Sequence, residues 1–402
     1  MQYDVIVSGA GPAGSTVARE CAILGLTVAL LDKAEFPRDK PCGGGVNLRT
    51  ARLLPFDLTP VVERTIHGMR ISPRRGSVYV RRSRQPLTYL TQRHRLDAFL
   101  LERAVDSGVR VFEKAPVRAV ERHARLMHVT AGAQSISGRV LVAADGANGP
   151  SASLAGLAIR RWTMVGIEGN VPLDGSPFPE QWSDAMGIDF RGIRHGYAWL
   201  FPKDDHLNIG LAGMNLKGAL RERLHGLART HGFDPRGLWG IRGHPLPVRR
   251  PESPLIGDRV LAVGDAAGLV DPFTGEGIYA AIRSGQIAAG WLAGFCHGDP
   301  SALDGYRSEV ERELGRELHL ARRIHDLFHL APWFWAETVR LPMVWRMGCG
   351  ILRGDQTYID MTERAGPLGS ALSRLYRALQ LTSSDFHPSG QASARGLLRY
   401  AC

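Results

Sequence analysis

The sequence predicts an α/β fold: a doubly wound sheet built from separated stretches of chain, an inserted antiparallel β-sheet domain, and a helical C-terminal region. Three observations carry this expectation. Residues Tyr3 to Lys33 read as strand, glycine-rich turn, helix and strand. Far downstream, Val260-Leu261-Ala262-Val263 runs straight into Gly264-Asp265-Ala266-Ala267-Gly268, a second strand that ends in a glycine turn. Between them, composition changes near Arg160, and several short runs of strand-forming residues follow one another.

Tyr3 to Val7 is rich in β-branched residues and suits a buried strand. Gly9-Ala10-Gly11-Pro12-Ala13-Gly14 follows, then a helical pattern with Val17, Cys21 and Leu24 on one face, closed by Gly25. Thr27 to Leu31 is the next strand, with Asp32 and Lys33 at its carboxyl end. Gly9 permits the tight turn, Gly11 lets the backbone approach a pyrophosphate, and Gly14 lets the helix pack close to the strand. The helix start, where Ala13 lies, offers free N–H groups to phosphate, and Asp32 is placed to accept hydrogen bonds from a ribose. Strand, glycines, helix, strand and acid in register point to a dinucleotide-binding unit.

Lys40-Pro41-Cys42-Gly43-Gly44-Gly45 is a loop in which three glycines allow something flat to lie against the backbone. Thr65 to Ile71 and Ser77 to Arg81 look like strands, and Gln92 to Ala104 like a helix. Val140 to Ala144 is a small-residue buried strand ending at Asp145-Gly146, expected beside the first strand. Thr163–Val171, Asp184–Phe190, Gly196–Phe201 and Leu207–Gly210 read as an antiparallel sheet, followed by a helix over Leu216 to Arg229. A long helix begins near Gly277 and runs towards Ala293, and the chain from about Ser301 onward is mostly helical. The domain reading is 1–64, 92–160 and 255–300 for the nucleotide-binding domain. Residues 65–91 and 161–254 form the β-rich substrate domain, and 301–402 the helical C-terminal region.

A chain of 402 residues can bury a large core. It has no apolar run long enough to span a bilayer, and its first strand starts too early for a signal peptide. Five scattered cysteines without a CxxC pair disfavour a metal centre and suit a reducing cytoplasm. The formal net charge of +11 comes overwhelmingly from Arg, with no nucleic-acid-binding motif beside it. With the aromatic segment Trp333-Phe334-Trp335, the charge suggests peripheral contact with anionic lipid, at the inner face of the membrane.

Taken together, Gly9–Gly14, Lys40–Gly45, Gly196-Tyr197-Ala198-Trp199-Leu200-Phe201-Pro202 and Gly264–Gly268 resemble the geranylgeranyl reductase family. These are FAD-dependent enzymes of the wider p-hydroxybenzoate hydroxylase-like group. The resemblance covers about residues 1–300. The Cys-Gly-Gly loop and the Tyr-x-Trp-x-Phe-Pro run are its more specific parts. Arg93 sits where the wider group has an Arg opening the helix that faces the flavin. One segment departs: the usual Asp-Gly motif continues with Ser and then Arg, whereas Asp145-Gly146 runs into Ala147-Asn148. In hydroxylase-type relatives that segment helps position NADPH, so the electron donor is left as NADPH or another reductant.

The resemblance implies FAD, with Gly9 to Gly14, Asp32 and Lys33 holding its ADP half. Asp265, after Gly264, would accept bonds from ribityl hydroxyls. The helix after Gly275 and Gly277, starting at Ile278, would aim its positive end at the flavin ring. The implied reaction is reduction of isolated carbon–carbon double bonds in a prenyl chain. Hydride would come from the flavin, and a proton from an acid beside it. Cys42 is the first candidate for that acid, and Tyr197 the alternative. Gly43 and Gly44 clear space around Cys42 for the cofactor. Tyr197, Trp199, Phe201 and Pro202 would line the substrate cleft. The alternative for Cys42 is a small buried residue packed beneath the ring, and as core aromatics of the sheet Tyr197 and Trp199 need no function. The rival classes are a flavin monooxygenase acting on an aromatic or polyketide substrate and a non-catalytic flavin-binding protein. Flavin halogenases rank lower, because they carry Trp-x-Trp where this chain has Tyr197 and Trp199.

Overall fold

The computed structural model describes residues 2–74, 76–172, 184–193, 195–214, 216, 218–330, 335 and 337–364. Strands β1 (Gln2–Ser8) and β2 (Val28–Leu31) flank the helix Pro12–Ile23. β3 (Gly45–Asn47), β4 (Arg64–Ile66), β5 (Gly68–Ser72), β6 (Tyr79–Arg82) and β7 (Thr88–Leu90) precede the helix Arg93–Asp106. β8 (Arg110–Phe112), β9 (Val117–His123), β10 (Leu126–Ala131) and β11 (Gln134–Ala143) follow. Next come β12 (Arg161–Pro172), β13 (Ala185–Asp189), β14 (Gly196–Pro202), β15 (His206–Met214), the helix Leu220–Thr230 and β16 (Trp239–Arg249). β17 (Ile256–Gly257) and β18 (Val260–Ala262) lead to the helix Ile278–Cys296 and the C-terminal helices from Ala302 to Arg364.

The first sheet runs β17-β18-β11-β1-β2-β8. Its central pairs, β1 with β2, β1 with β11 and β11 with β18, are parallel. Parallel strands must be covered on both faces, and β1 from Val5 to Val7 is wholly buried. Pro12 opens the first helix, where a missing N–H costs nothing. A side chain at Gly14 would collide with the carbonyl of Gly9, so this glycine sets the close approach of helix to strand. Leu24 departs from expectation: it is 47% exposed, because the helix stops at Ile23 and turns away before the residue can reach the core.

The second sheet runs β16-β12-β15-β14-β13-β5-β6. Its long pairs are antiparallel, but β13 pairs with β5 in parallel. The single strand expected over Thr65 to Ile71 divides at His67. β4 joins β3 and β7 in a separate three-stranded sheet, while β5 enters the large one. β16 is a strand that the sequence does not announce, since Pro245 and Pro247 weaken its pattern. It lies at the sheet edge, where the missing N–H groups point away from β12.

The C-terminal helices close the far side. Tyr306 is fully buried, and its hydroxyl donates to the carbonyl oxygen of Ala262 at 2.7 Å, tying the helix Ala302–Val310 to the end of β18. Trp333 and Phe334 lie outside the described residues. Among the described residues, no helix is long and apolar enough to cross a membrane. Tyr306→Phe removes the donor but keeps the ring. It should lower stability by roughly 1–2 kcal/mol, read as a shifted urea midpoint by circular dichroism; an unshifted midpoint contradicts this tie.

Candidate functional site

The carboxyl ends of β1, β2 and β11 open into one cavity of about 760 Å³, which the large sheet covers as an opposite wall. Most of the expected site residues meet there. Gly9, Gly11, Ala13, Asp32 and Lys33 line it from the first unit, Cys42, Gly43, Gly44 and Asp145 from the loops, and Arg93 from the start of its helix. Asp265, Gly275, Gly277 and Ile278 line it from the second, and Tyr197, Trp199 and Phe201 from β14. Three do not. Gly14 is buried in helix–strand packing. Gly264 holds φ +55 between Ala13 and Ala281 and donates its N–H to Ser284 Oγ at 3.0 Å, so its role is packing. Pro202 alternates away from Phe201 and faces the other side of the sheet.

Gly11 needs no special φ, and an added Cβ there would meet no protein atom closer than Arg38 Nη2 at 3.6 Å. Its missing side chain therefore serves whatever enters the cavity. Two guanidinium groups stand beside it. Arg93 is buried and makes two 2.7 Å hydrogen bonds to Asp97, while Arg38 Nη1 lies 2.8 Å from the same carboxylate. Burial pulls the Arg93 pKa down, but the charge and hydrogen bonds of Asp97 outweigh it and keep the group cationic. Two cations share one anion, which leaves net positive charge next to the turn. Arg38 is a residue that the motif reading missed.

Asp32 accepts the N–H of Ala10 at 2.7 Å and of Ala34 at 2.9 Å, one on each oxygen, and keeps lone pairs for a ribose. Burial pushes the Asp145 carboxyl up; its Oδ2 accepts the Ser151 N–H at 2.9 Å, and Oδ1 is buried without a partner among the described residues. Asp265 lies 3.3 Å from Lys40 Nζ. Burial raises its pKa, but Lys40, His244 and Arg93 outweigh that and hold it below the usual carboxylate range. His244, also unforeseen, lines the cavity from β16. Burial, with Lys40 beside it, pushes its pKa down to about 4, so the ring is neutral at pH 7; its Nε2 has no partner among the described residues. The start of the helix Ile278–Cys296 supplies further N–H groups without intrahelical acceptors. Buried polar atoms left open, a positive turn and a helix start form a cradle suited to an extended dinucleotide, and they fit FAD.

At the other end the wall is aromatic. Tyr197, Trp199 and Phe201 share one face of β14, with successive ring centroids 6.4 Å apart. Trp199 Nε1 donates to Asn208 Oδ1 at 2.7 Å, and its ring covers Gly210, where any side chain would collide with it. A Cβ on Gly43 would approach Phe201 to 2.8 Å, so the glycine loop lies against these rings. The Tyr197 hydroxyl donates to the carbonyl oxygen of Thr274, and burial drives its pKa up, so it parts with its proton reluctantly. Cys42 is half-buried on the wall, and its Sγ accepts the Gly44 N–H at 3.4 Å. Beyond it the lining turns apolar, with Met69, Met186, Ile188, Phe190, Phe273 and Leu352.

Comparison with known proteins agrees with this geometry. The FAD binding domain family matches residues 2–191. The chain is 31% identical to menaquinone reductase of Mycobacterium tuberculosis over 308 residues, covering 71% of this chain and 75% of that one. It is 30% identical to digeranylgeranylglycerophospholipid reductase 1 of Methanothermobacter thermautotrophicus, covering 79% and 84%. In fold it is similar to a geranylgeranyl bacteriochlorophyll reductase-like protein of Thermoplasma acidophilum, with TM-score 0.69, 23% identity and coverage of 85% and 88%. A flavin-dependent brominase matches equally well, with TM-score 0.69, 21% identity and coverage of 88% and 94%. At such identities the structural likeness concerns the fold alone.

Gly11→Val puts a branched side chain into the cavity, and its Cβ meets no protein atom closer than Arg38 Nη2 at 3.6 Å. The variant should fold with an unchanged circular dichroism spectrum and purify colourless, whereas the wild type should be yellow with non-covalent FAD. A yellow variant would place the pyrophosphate elsewhere.

Proposed function

The chain belongs to the geranylgeranyl reductase family of FAD-dependent oxidoreductases, and we propose that it saturates carbon–carbon double bonds in the prenyl chain of a lipid or pigment. One observation carries this reading: the cavity runs without a break from the phosphate-binding turn, past Cys42, into the apolar pocket of Met69, Met186, Ile188 and Leu352. Relatives named for geranylgeranyl lipids and for menaquinone support it, since a prenyl chain is the chemical part those substrates share.

Bound FAD supplies a hydride once reduced by NADPH or another donor. The chain's own residues do the rest. Asp32, Arg38, Arg93 and the N–H groups after Gly11 would hold the dinucleotide's charged half, and Asp265 and His244 its polyol. Tyr197, Trp199 and Phe201 wall off the reacting end from water and orient the alkene. An isolated alkene has no carbonyl to hold developing charge, so a nearby acid and a dry cleft share the work. Cys42 is that acid in this reading: its Sγ stands on the wall at the apolar boundary, and the Gly44 N–H stabilises the thiolate left behind. Tyr197 is the weaker candidate, because its hydroxyl already donates a hydrogen bond to the Thr274 carbonyl oxygen and burial makes it hold its proton. The Arg excess supports peripheral contact with an anionic lipid surface, from which a prenyl substrate would enter.

Deleting the gene should leave prenyl lipids or pigments lighter by one H2 for each bond left unreduced. An unchanged lipid and pigment profile contradicts the proposal. Cys42→Ala should keep FAD and still accept electrons from dithionite. Its reoxidation by prenyl substrate should slow roughly 10²–10⁴-fold, the usual loss for a general acid. A wild-type rate would reduce Cys42 to packing.

A further inference from the structure

Two ionisable side chains, Lys203 buried and Glu168 half-buried, stand behind the Cys42 loop, and the chemistry above makes no use of them. Lys203 follows β14 by one residue and is 2% exposed. Its Nζ donates to the carbonyl oxygens of Gly43 at 2.8 Å and Thr91 at 2.7 Å. Glu168, on β12, accepts the backbone N–H of Cys42 on Oε1 at 2.8 Å. The two-residue segment Cys42–Gly43 is thus gripped at its first N–H by a carboxyl and at its last carbonyl by an ammonium. Both grips come from the sheet that forms the opposite wall. Thr91 closes the circle, since its own N–H donates to the Gly44 carbonyl at 2.9 Å. Gly44 holds φ +68, and any side chain there would collide with the Thr91 carbonyl.

One N–H and two carbonyls could be satisfied by neutral side chains at far lower desolvation cost than a glutamate and a lysine. Charged partners make stronger and more directional bonds. They also act on the one loop whose thiol faces the apolar cavity. We propose that Glu168 and Lys203 are positioning residues, which hold the Cys42–Gly43 segment so that Cys42 Sγ stays oriented for proton delivery. The role in proton delivery rests on the prenyl reductase reading; the grip on the loop does not.

Ionisation agrees with the geometry. Burial pushes Glu168 up to about 7, opposed by the Cys42 N–H and by Lys203. Burial pulls Lys203 down to about 8, opposed by Glu63, Cys42 and Glu168. Asp39 also faces Glu168 and raises it, although Arg242 on the neighbouring strand pairs with Asp39 at 2.7 Å; a side-chain hydrogen bond from Asn208 lowers it. Glu168 is charged above its pKa and Lys203 below its own, so both carry charge, and the grip is tightest, between about pH 7 and about pH 8.

The test uses FAD-loaded full-length protein and two readouts. Hydrogen exchange, corrected for its intrinsic pH dependence, reports the amides of Cys42 to Gly44. Anaerobic reoxidation of the reduced flavin by geranylgeranyl diphosphate reports proton delivery. Glu168→Leu should raise exchange roughly tenfold, the size of one lost hydrogen bond, and slow reoxidation at least as much. Glu168→Gln keeps an acceptor, so it should restore both at pH 8 but lose the wild-type inflection near pH 7. Unchanged exchange in Glu168→Leu overturns the grip. Raised exchange with unchanged reoxidation overturns the positioning role. If Glu168→Leu loses FAD, the Gln variant decides alone, and an inflection that persists overturns the proposal. A wild type that no prenyl substrate reoxidises contradicts the prenyl reading but leaves the exchange result standing.

Discussion

Everything in this molecule depends on the parallel pairing of four strands whose carboxyl ends stop at the same level. Ser8 pairs with both Leu31 and Ala143, and Ala143 pairs in turn with Ala262. That register brings Gly9, Asp32, Asp145 and Asp265 to one sheet edge, although more than two hundred residues of chain separate the first from the last. Parallel strands can be joined only by long crossovers. The intervening chain is therefore free to build a second sheet, and that sheet folds back as a wall over the same edge.

The wall has a polarity gradient set by strand alternation. Every second residue faces the cavity: Arg242, His244 and Leu246 on β16, Glu168 on β12, the three aromatics on β14, and Met186 and Ile188 on β13. Charge and imidazole thus face the phosphate-binding side, and apolar side chains the far end. Cys42 lies where the two meet. Glycines at 166 and 210 and Ala212 keep the middle of the wall thin, and Trp199 takes up the space that Gly210 leaves. A reaction that needs a charged cofactor half and a dry, greasy substrate half finds both in one cavity.

The strand–turn–helix–strand unit, the second glycine turn and the aromatic strand were legible because each is local, with its signal in consecutive residues. Glu168 and Lys203 were not, because their meaning lies in backbone groups of a loop more than a hundred residues away. Lys203 did carry a hint: it continues the alternation of Tyr197, Trp199 and Phe201, and so shares their face. The same alternation turns Pro202 to the other face of β14, which the motif taken as a block does not convey. Arg38 and His244 belong to loop and edge-strand sequence with no periodicity of its own. β16 was hidden by prolines that only an edge position tolerates.

In the proposed reaction this cavity delivers hydride and proton to an unactivated alkene. That reaction is tested most directly by reducing the FAD-loaded protein with dithionite under strict anaerobiosis and then adding geranylgeranyl diphosphate, which carries no other group that reduced flavin can reduce. The account predicts that the oxidised flavin spectrum returns and that the prenyl product gains one H2 for each bond reduced. A flavin that stays reduced with every prenyl compound, but is reoxidised by oxygen while an aromatic substrate is hydroxylated, would contradict it.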